Sequence, residues 1–216
     1  MARVFRLFLV GMCILFTTGC TSMMIGLYGI HPFDRDVTPK ELERLAKRMK
    51  IPEQEDLVLS LRYSEHLDAV RDTLKKKLWS GMHEPLQLRW YSKRGRLQWI
   101  VPYFDVAGFP NLKWSHFGLP DTLVVDPDYR DLADSSWTIA DDYNYMTMRS
   151  TGQVPVQKQD ADGYLLVYWT YYTGRQSVRL SKYIRKWHEH HGRSIEVRYV
   201  NADSLMMGVD KPEIGQ

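Results

Sequence analysis

The chain's apolar and polar positions fall into a sequence of distinct periods. Leu42, Leu45, Ala46 and Met49 recur at helical spacing. Thr38-Pro39-Lys40-Glu41 stands directly before them and offers an N-cap, a proline at the first helical position and a capping box. This predicts an amphipathic helix over 39–49, closed by Pro52. Leu57-Val58-Leu59 predicts a short strand. A second amphipathic helix is expected over 64–79, capped by Ser64, with Leu67, Val70, Leu74 and Leu78 on one face and Gly81 just past its end. Leu86 to Tyr91 and Leu97 to Tyr103 read as strands joined by Ser92-Lys93-Arg94-Gly95, a hairpin with Gly95 at the position that needs a positive φ.

From Asp105 to Gln159 no period holds, and Leu123-Val124-Val125 is the clearest strand fragment. The end of the chain is plainer. Asp160 to Gly163 is a turn. Tyr164 to Trp169 is almost continuously apolar, as in a strand buried on both faces. Ser177 to His191 carries Leu180, Tyr183, Ile184, Trp187 and His191 on one side of a helix, with Gly192 at its C′ position. Ile195 to Val200 closes the unit as a strand parallel to the first, in a right-handed βαβ connection. The expected fold is α+β: a mixed β-sheet with a C-terminal βαβ unit, covered by the two N-terminal amphipathic helices, all in one domain over 38–216.

The first 20 residues change the picture of where this domain resides. Arg3 and Arg6 precede ten residues, Leu7 to Phe16, that are apolar apart from Gly11, and small residues lead to Cys20. Such an apolar run is far below the roughly 20 residues that span a bilayer, so 1–19 reads as a secretory signal peptide. Thr18-Gly19-Cys20 resembles the bacterial lipobox, although Thr17 stands where that family prefers Leu. The resemblance implies lipidation of Cys20, a tether over 20–37 and a membrane partner reached through the N-terminal lipid. A soluble secretory signal, or an uncleaved anchor continuing through Met23 to Ile30, are the competing readings. Thr21 rather than Asp after the cysteine implies the outer membrane, and the lack of a following acidic cluster favours its periplasmic face.

Charge and cysteine counts then narrow the chemistry. The chain has 29 Lys and Arg against 26 Asp and Glu. Without Arg3 and Arg6 the balance is 27 against 26, which gives nucleic-acid binding no support. The two cysteines are Cys13, in the leader, and Cys20. A domain cut from the leader therefore has no thiol for a disulfide, a nucleophile or a Cys-ligated metal.

Leu165 to Trp169 followed by Thr170-Tyr171-Tyr172-Thr173-Gly174-Arg175-Gln176 resembles the strand-to-helix turn of thioredoxin-like proteins, whose pattern is an apolar strand and then W-C-G-P-C opening a helix. Tyr172 takes the place of the Trp, Thr173 and Gln176 those of the two cysteines, Gly174 that of the Gly and Arg175 that of the Pro. The resemblance implies a partial thioredoxin-like portion over about 160–203. It also implies that the hairpin, final helix and facing cis-proline loop that follow in the family have no counterpart after Val200. Thiol redox chemistry needs a lowered-pKa thiolate and a resolving thiol, which Thr173 and Gln176 cannot provide. Leader and ending together resemble a group of Bacteroidetes-type lipoproteins with a degenerate domain of this kind. The candidate binding crevice comprises Tyr171, Tyr172, Thr173, Arg175 and Gln176, at the C-terminal end of a buried strand where open α/β sheets place ligands.

Other constellations are weaker. His188 and His191 are three apart but have no third ligand, and a helix C-terminus suits imidazoles without a metal. Asp121, Asp126, Asp128, Asp131, Asp134, Asp141 and Asp142 make an acidic stretch. A calcium loop begun at Asp126 would meet Asp131 at its sixth place and Trp137 at its twelfth, so a solvated loop is expected. Arg175, Arg179, Lys182 and Lys186 form a basic stripe on the last helix, read as its wet face or as a contact for anionic headgroups. Trp90, Trp99, Tyr103, Trp114, Tyr143, Tyr145, Tyr171 and Tyr172 are candidate stacking platforms for a glycan or peptide, with core or sheet-face places expected for more than half of them. The expected role is a non-catalytic envelope lipoprotein, without cofactor or metal, that binds or scaffolds an envelope protein or glycan. The alternative is an envelope hydrolase or transferase with its site in 105–155.

Overall fold

The computed structural model describes residues 29–31, 37–74, 76–102, 136–191 and 194–207. Cys20, the leader and the stretch 103–135, with Leu123-Val124-Val125 and five of the seven acidic-stretch aspartates, lie outside the described residues. In chain order the elements are α1 (Pro39–Met49), β1 (Asp56–Leu59), α2 (Arg62–Ala69), α3 (Lys76–Met82), β2 (Gln87–Ser92) and β3 (Leu97–Pro102). They continue with α4 (Ile139–Tyr143), β4 (Met146–Met148), β5 (Gly163–Trp169), α5 (Gly174–His191), β6 (Ile195–Asn201) and α6 (Asp203–Met207). The fold is α+β with one mixed sheet of order β3-β2-β5-β6-β1-β4. β5, β6 and β1 run parallel, and the hairpin β2–β3 and the short β4 add antiparallel edges.

β5 sits inside the sheet, and all seven of its residues are buried, as its unbroken apolar run requires. The hairpin turns where the sequence places it: Gly95 has φ +74°, and its N–H donates to the Ser92 carbonyl at 2.8 Å. β2 is antiparallel to β5 with Gln87 opposite Tyr168. The buried Pro85 leading into β2 therefore arrives at the C-terminal end of β5.

The first helix forms as its signals dictate. Thr38 Oγ1 accepts from Glu41 N–H at 3.3 Å, and Thr38 N–H donates to Glu41 Oε2 at 3.0 Å. It ends earlier than Pro52. Lys50 takes a left-handed conformation (φ 58°) and its N–H returns to the Lys47 carbonyl at 3.0 Å, while Ile51 N–H returns to that of Ala46 at 3.1 Å.

The second predicted helix is a correction. It breaks into α2, a 3₁₀ turn over Arg71–Thr73, and α3. Thr73 Oγ1 donates to the Val70 carbonyl at 2.7 Å, and Leu74 is extended (φ −101°, ψ 148°). Val-Arg-Asp-Thr is a poor helical run because Asp and Thr side chains compete for the backbone. Ser64 is inside α2, not at its cap, and Gly81 is buried inside α3.

The covering helices do not share one face. Ser181 Oγ and Arg185 Nη1 of α5 both donate to the Met49 carbonyl of α1, each at 2.9 Å, so these two helices lie side by side. α2, α3 and α4 pack on the opposite face, reached by Gln87, Arg89 and Tyr91 of β2. The result is three layers with the sheet between them.

The interior of that second face is polar. Arg89 and Asp142 are wholly buried and paired, Nη1 to Oδ1, at 2.7 Å. Arg89 Nε donates to Gln87 Oε1 at 2.8 Å and Nη2 to the Met82 carbonyl at 2.9 Å. Its guanidinium lies 4.3 Å from the Tyr168 ring centroid. Asp142 Oδ1 also accepts from the Tyr63 hydroxyl at 2.7 Å, and Tyr91 donates to Oδ2. Burial drives the tyrosine hydroxyls well above their ordinary range, so they remain donors at any physiological pH. The expectation that Asp142 belongs to a solvated loop is therefore overturned. Thr138 and Asp141 form a capping box that starts α4 and places the next residue inward.

Removing one partner of such a pair leaves an uncompensated buried charge, at a cost of about 3–5 kcal/mol. Arg89→Met should lower unfolding stability by that amount in urea titration. Arg89→Met/Asp142→Leu should cost clearly less than the sum of the single changes, with a coupling of about 2 kcal/mol. Additive losses would refute the pairing.

Candidate functional site

β5 ends at Trp169, and the next eight residues make the turn where the crevice was expected. Thr170 Oγ1 donates to Asp203 Oδ1, and the same oxygen accepts from Tyr171 N–H at 2.7 Å. Asp203 Oδ2 accepts from Asn201 Nδ2 at 2.8 Å. On the other side of the turn, Ser177 Oγ accepts from Thr170 N–H at 3.2 Å and donates to the Thr170 carbonyl at 2.8 Å, with Thr173 Oγ1 3.3 Å away. These bonds fold the turn onto the start of α5, whose helical geometry begins at Gly174 rather than Ser177.

The turn is therefore filled rather than open. Tyr172 is 1%, Gln176 2% and Thr173 6% exposed. These three of the five predicted crevice residues point into packing, which corrects the expected site. Gln176 has no hydrogen-bond partner for either amide atom among the described residues. Tyr171 is half-buried and Arg175 exposed, and only these two reach an opening.

That opening is a cleft of about 290 Å³ beside the turn, bounded by α1, the start of α5 and residues 29–31. Glu41, Arg44 and Arg48 line it from α1, and Tyr171 and Arg175 from the turn and α5. The wall made by 29–31 is clamped in place. His31 N–H donates to the Tyr172 carbonyl at 2.7 Å, and its ring stacks on Tyr171 with centroids 4.7 Å apart. Gly29 is the residue that permits this approach. Its φ is +64°, and a Cβ there would lie 2.6 Å from Arg175 Cβ. The expected tether thus ends as part of the site, which nothing in its composition signals. Three arginines and a histidine face one glutamate, so the cleft suits an anionic group.

A larger groove, about 820 Å³, follows the opposite flank of α1. Leu42, Ala46 and Ile51 make its apolar wall, and Asp56 and Arg149 pair at 2.7 Å at its base. Burial raises the Asp56 carboxyl despite the hydrogen bond and charge of Arg149.

The remaining candidates take structural places. Trp90 and Trp99 stack on each other with centroids 6.0 Å apart. Tyr143 is buried, and Tyr145 is half-buried against His66, centroids 4.7 Å apart. His188 Nε2 lies 3.1 Å from the Ile195 carbonyl, and no group of three metal-ligating side chains occurs among the described residues. Comparison with protein-family models, with curated proteins and with solved structures gives no match for the chain.

The residues that sequence reasoning missed here are Glu41, Arg44, Arg48 and Asp203. Arg44 and Arg48 do leave a trace, because they are four apart on the wet side of a well-marked helix. Asp203 is the more testable. Burial lifts its carboxyl above the usual range, against hydrogen bonds from Thr170, Asn201 and Tyr171 N–H. The folded state therefore holds this proton more tightly than the unfolded chain. The stability it contributes is complete below the unfolded pKa and falls as pH rises through the folded one. Asp203→Asn keeps an acceptor for Thr170 and Tyr171 but cannot ionise. Relative to the parent, its stability in urea titration should improve as pH rises above about 4, the range of an unfolded carboxyl. A pH-independent difference would contradict this.

Proposed function

We propose that the chain is an envelope lipoprotein, anchored through Cys20 at the periplasmic face of the outer membrane, whose folded domain binds or scaffolds and does not catalyse. The observation that carries the reading is the state of the strand-to-helix turn. Its hydroxyls and the Asp203 carboxylate are engaged in holding the turn closed, and no cysteine lies in it. A nucleophile or general base at this end of the sheet would need a group open to substrate. The neighbouring cleft is lined by three arginines with His31, Glu41 and Tyr171, a set in which cations predominate and which suits holding an anionic group.

The thioredoxin-like reading of 160–203 belongs to this proposal. β5, α5 and β6 supply a parallel strand–helix–strand unit, and β2 supplies an antiparallel neighbour with a buried proline before it. At the two motif positions stand Thr173 and Gln176, both buried. The partner expected for the cleft is an envelope component carrying a phosphate or carboxylate, or a glycan that stacks on Tyr171. The alternative of a hydrolase or transferase built on 105–155 draws little from its described part. Asp142 is fully buried against Arg89, and Asp141 caps α4.

Mass spectrometry of the mature N-terminus should find a chain that starts at Cys20 and carries a diacylglyceryl group and an amide-linked acyl chain. Cys20→Ala should move the protein out of the detergent-extracted membrane fraction after signal cleavage. An unmodified chain beginning at Met1 or Ala2 would refute the anchoring.

A further inference from the structure

Charge is distributed unevenly across the three layers. On α1, Lys40, Arg44, Lys47 and Arg48 follow one another at spacings of four, three and one, which keeps them on one side of the helix. On α5, Arg175, Arg179, Lys182 and Lys186 do the same over three turns. With Arg185, the two helices hold nine Lys and Arg against Glu41, Glu43 and Glu189. The whole chain carries only +3, so everything outside these two helices sums to a net negative charge.

The two stripes belong to one surface. Leu45 approaches Gly174, and Met49 approaches Ser181 and Arg185, so α1 and α5 run in the same direction side by side on one face of the sheet. Lys40, Arg44, Lys47, Arg48, Lys182 and Lys186 are all exposed there. Glu43 is matched to Lys47 at 2.5 Å and cancels little of the total.

The clamp at His31 fixes where residues 29–31 lie on this surface. Gly29 and His31 sit on the start of α5, beside Arg44 and Arg48. Eight residues, 21–28, separate them from Cys20. Fully extended, those residues reach at most about 28 Å. A lipidated Cys20 thus keeps the bilayer within about 28 Å of the end of the cationic layer at Gly29. We infer that the outer side of α1 and α5 is a membrane-apposed surface that holds the phosphate headgroups of anionic phospholipids, with the Arg44–Arg48–Arg175 cleft as its closest seat for one headgroup. This rests on the anchoring reading. The surface potential of an anionic bilayer acts within about one Debye length, roughly 10 Å, and adds attraction for each Lys or Arg within that range.

The test uses the mature acylated protein in vesicles of phosphatidylcholine alone, or with about 30% phosphatidylglycerol, at low salt. Flotation on the neutral vesicles reports the anchor and nothing else. Lysine acetylation read by mass spectrometry then reports the surface. On anionic vesicles, labelling of Lys40, Lys47, Lys182 and Lys186 should fall about five-fold relative to neutral ones, and that of Lys93 in the β2–β3 turn should not change. About 0.5 M salt should restore labelling without releasing the protein. Arg44→Glu/Lys182→Glu should float on both vesicles and lose the protection. Because the salt titration is made on the unaltered protein, misfolding of the variant would not rescue the inference. Flotation with equal labelling on both vesicles overturns the membrane surface and leaves the anchor standing. Failure to float on neutral vesicles overturns the anchor. Protection of Lys93 in place of the four would place the opposite end of the domain at the membrane.

Discussion

The buried pairing of Arg89 with Asp142 is the constraint around which one whole side of this molecule is arranged. An ion pair taken fully out of water is stable only when every remaining donor and acceptor is matched. The surroundings answer that requirement from four elements. Tyr63 comes from α2, the Met82 carbonyl from the end of α3, Gln87 and Tyr91 from β2, and Asp142 itself from α4. Short elements that would be marginal alone thereby share one polar centre. The helix break at Val70–Leu74 is intelligible in the same light. A straight helix over 64–79 could not present both Tyr63 and the Met82 carbonyl to the same guanidinium.

The opposite face solves its problem with ordinary apolar packing and spends its charges on the outside. Leu180, Ile184 and Trp187 of α5 and Leu45, Ala46 and Met49 of α1 face inward, and the lysines and arginines follow the outer stripe. The two sides of the sheet therefore have different currencies of stability. The layer with the buried charge pair depends on geometry and tolerates little change at its centre. The α1/α5 layer can vary its outer residues freely as far as folding is concerned, so its concentration of cations calls for an explanation beyond stability.

What could be read from the sequence was whatever depends on near neighbours. The capping box at Thr38 and Glu41, the positive φ at Gly95 and the buried apolar run of β5 are all determined within a few residues, and each stands where its signal lies. The missed features depend on residues far apart in the chain. Asp142 looks like one more acid in a polar stretch, and only Arg89, 53 residues earlier, makes it internal. Tyr172, Thr173 and Gln176 align with an exposed motif, yet Asp203 and Ser177 draw the turn shut over them. The docking of Gly29 and His31 has no periodic signature, because it is made by contacts of individual residues: the His31 hydrogen bond and ring stack and the close approach of Gly29 to Arg175. Strand order was equally hidden: the parallel pairing of β1 with β6 joins elements more than 130 residues apart.

The His31 clamp also has a mechanical meaning. Among the described residues, a pull applied from the N-terminal side of Gly29 is met at His31, by its hydrogen bond to the Tyr172 carbonyl and its stack on Tyr171. Those give way far more easily than the ladder between β5 and β6. The next described element in line is α1, whose start is held by the Thr38–Glu41 capping box. The His31 contacts are thus a weak link set ahead of the capped helix, one that can yield before the sheet is strained.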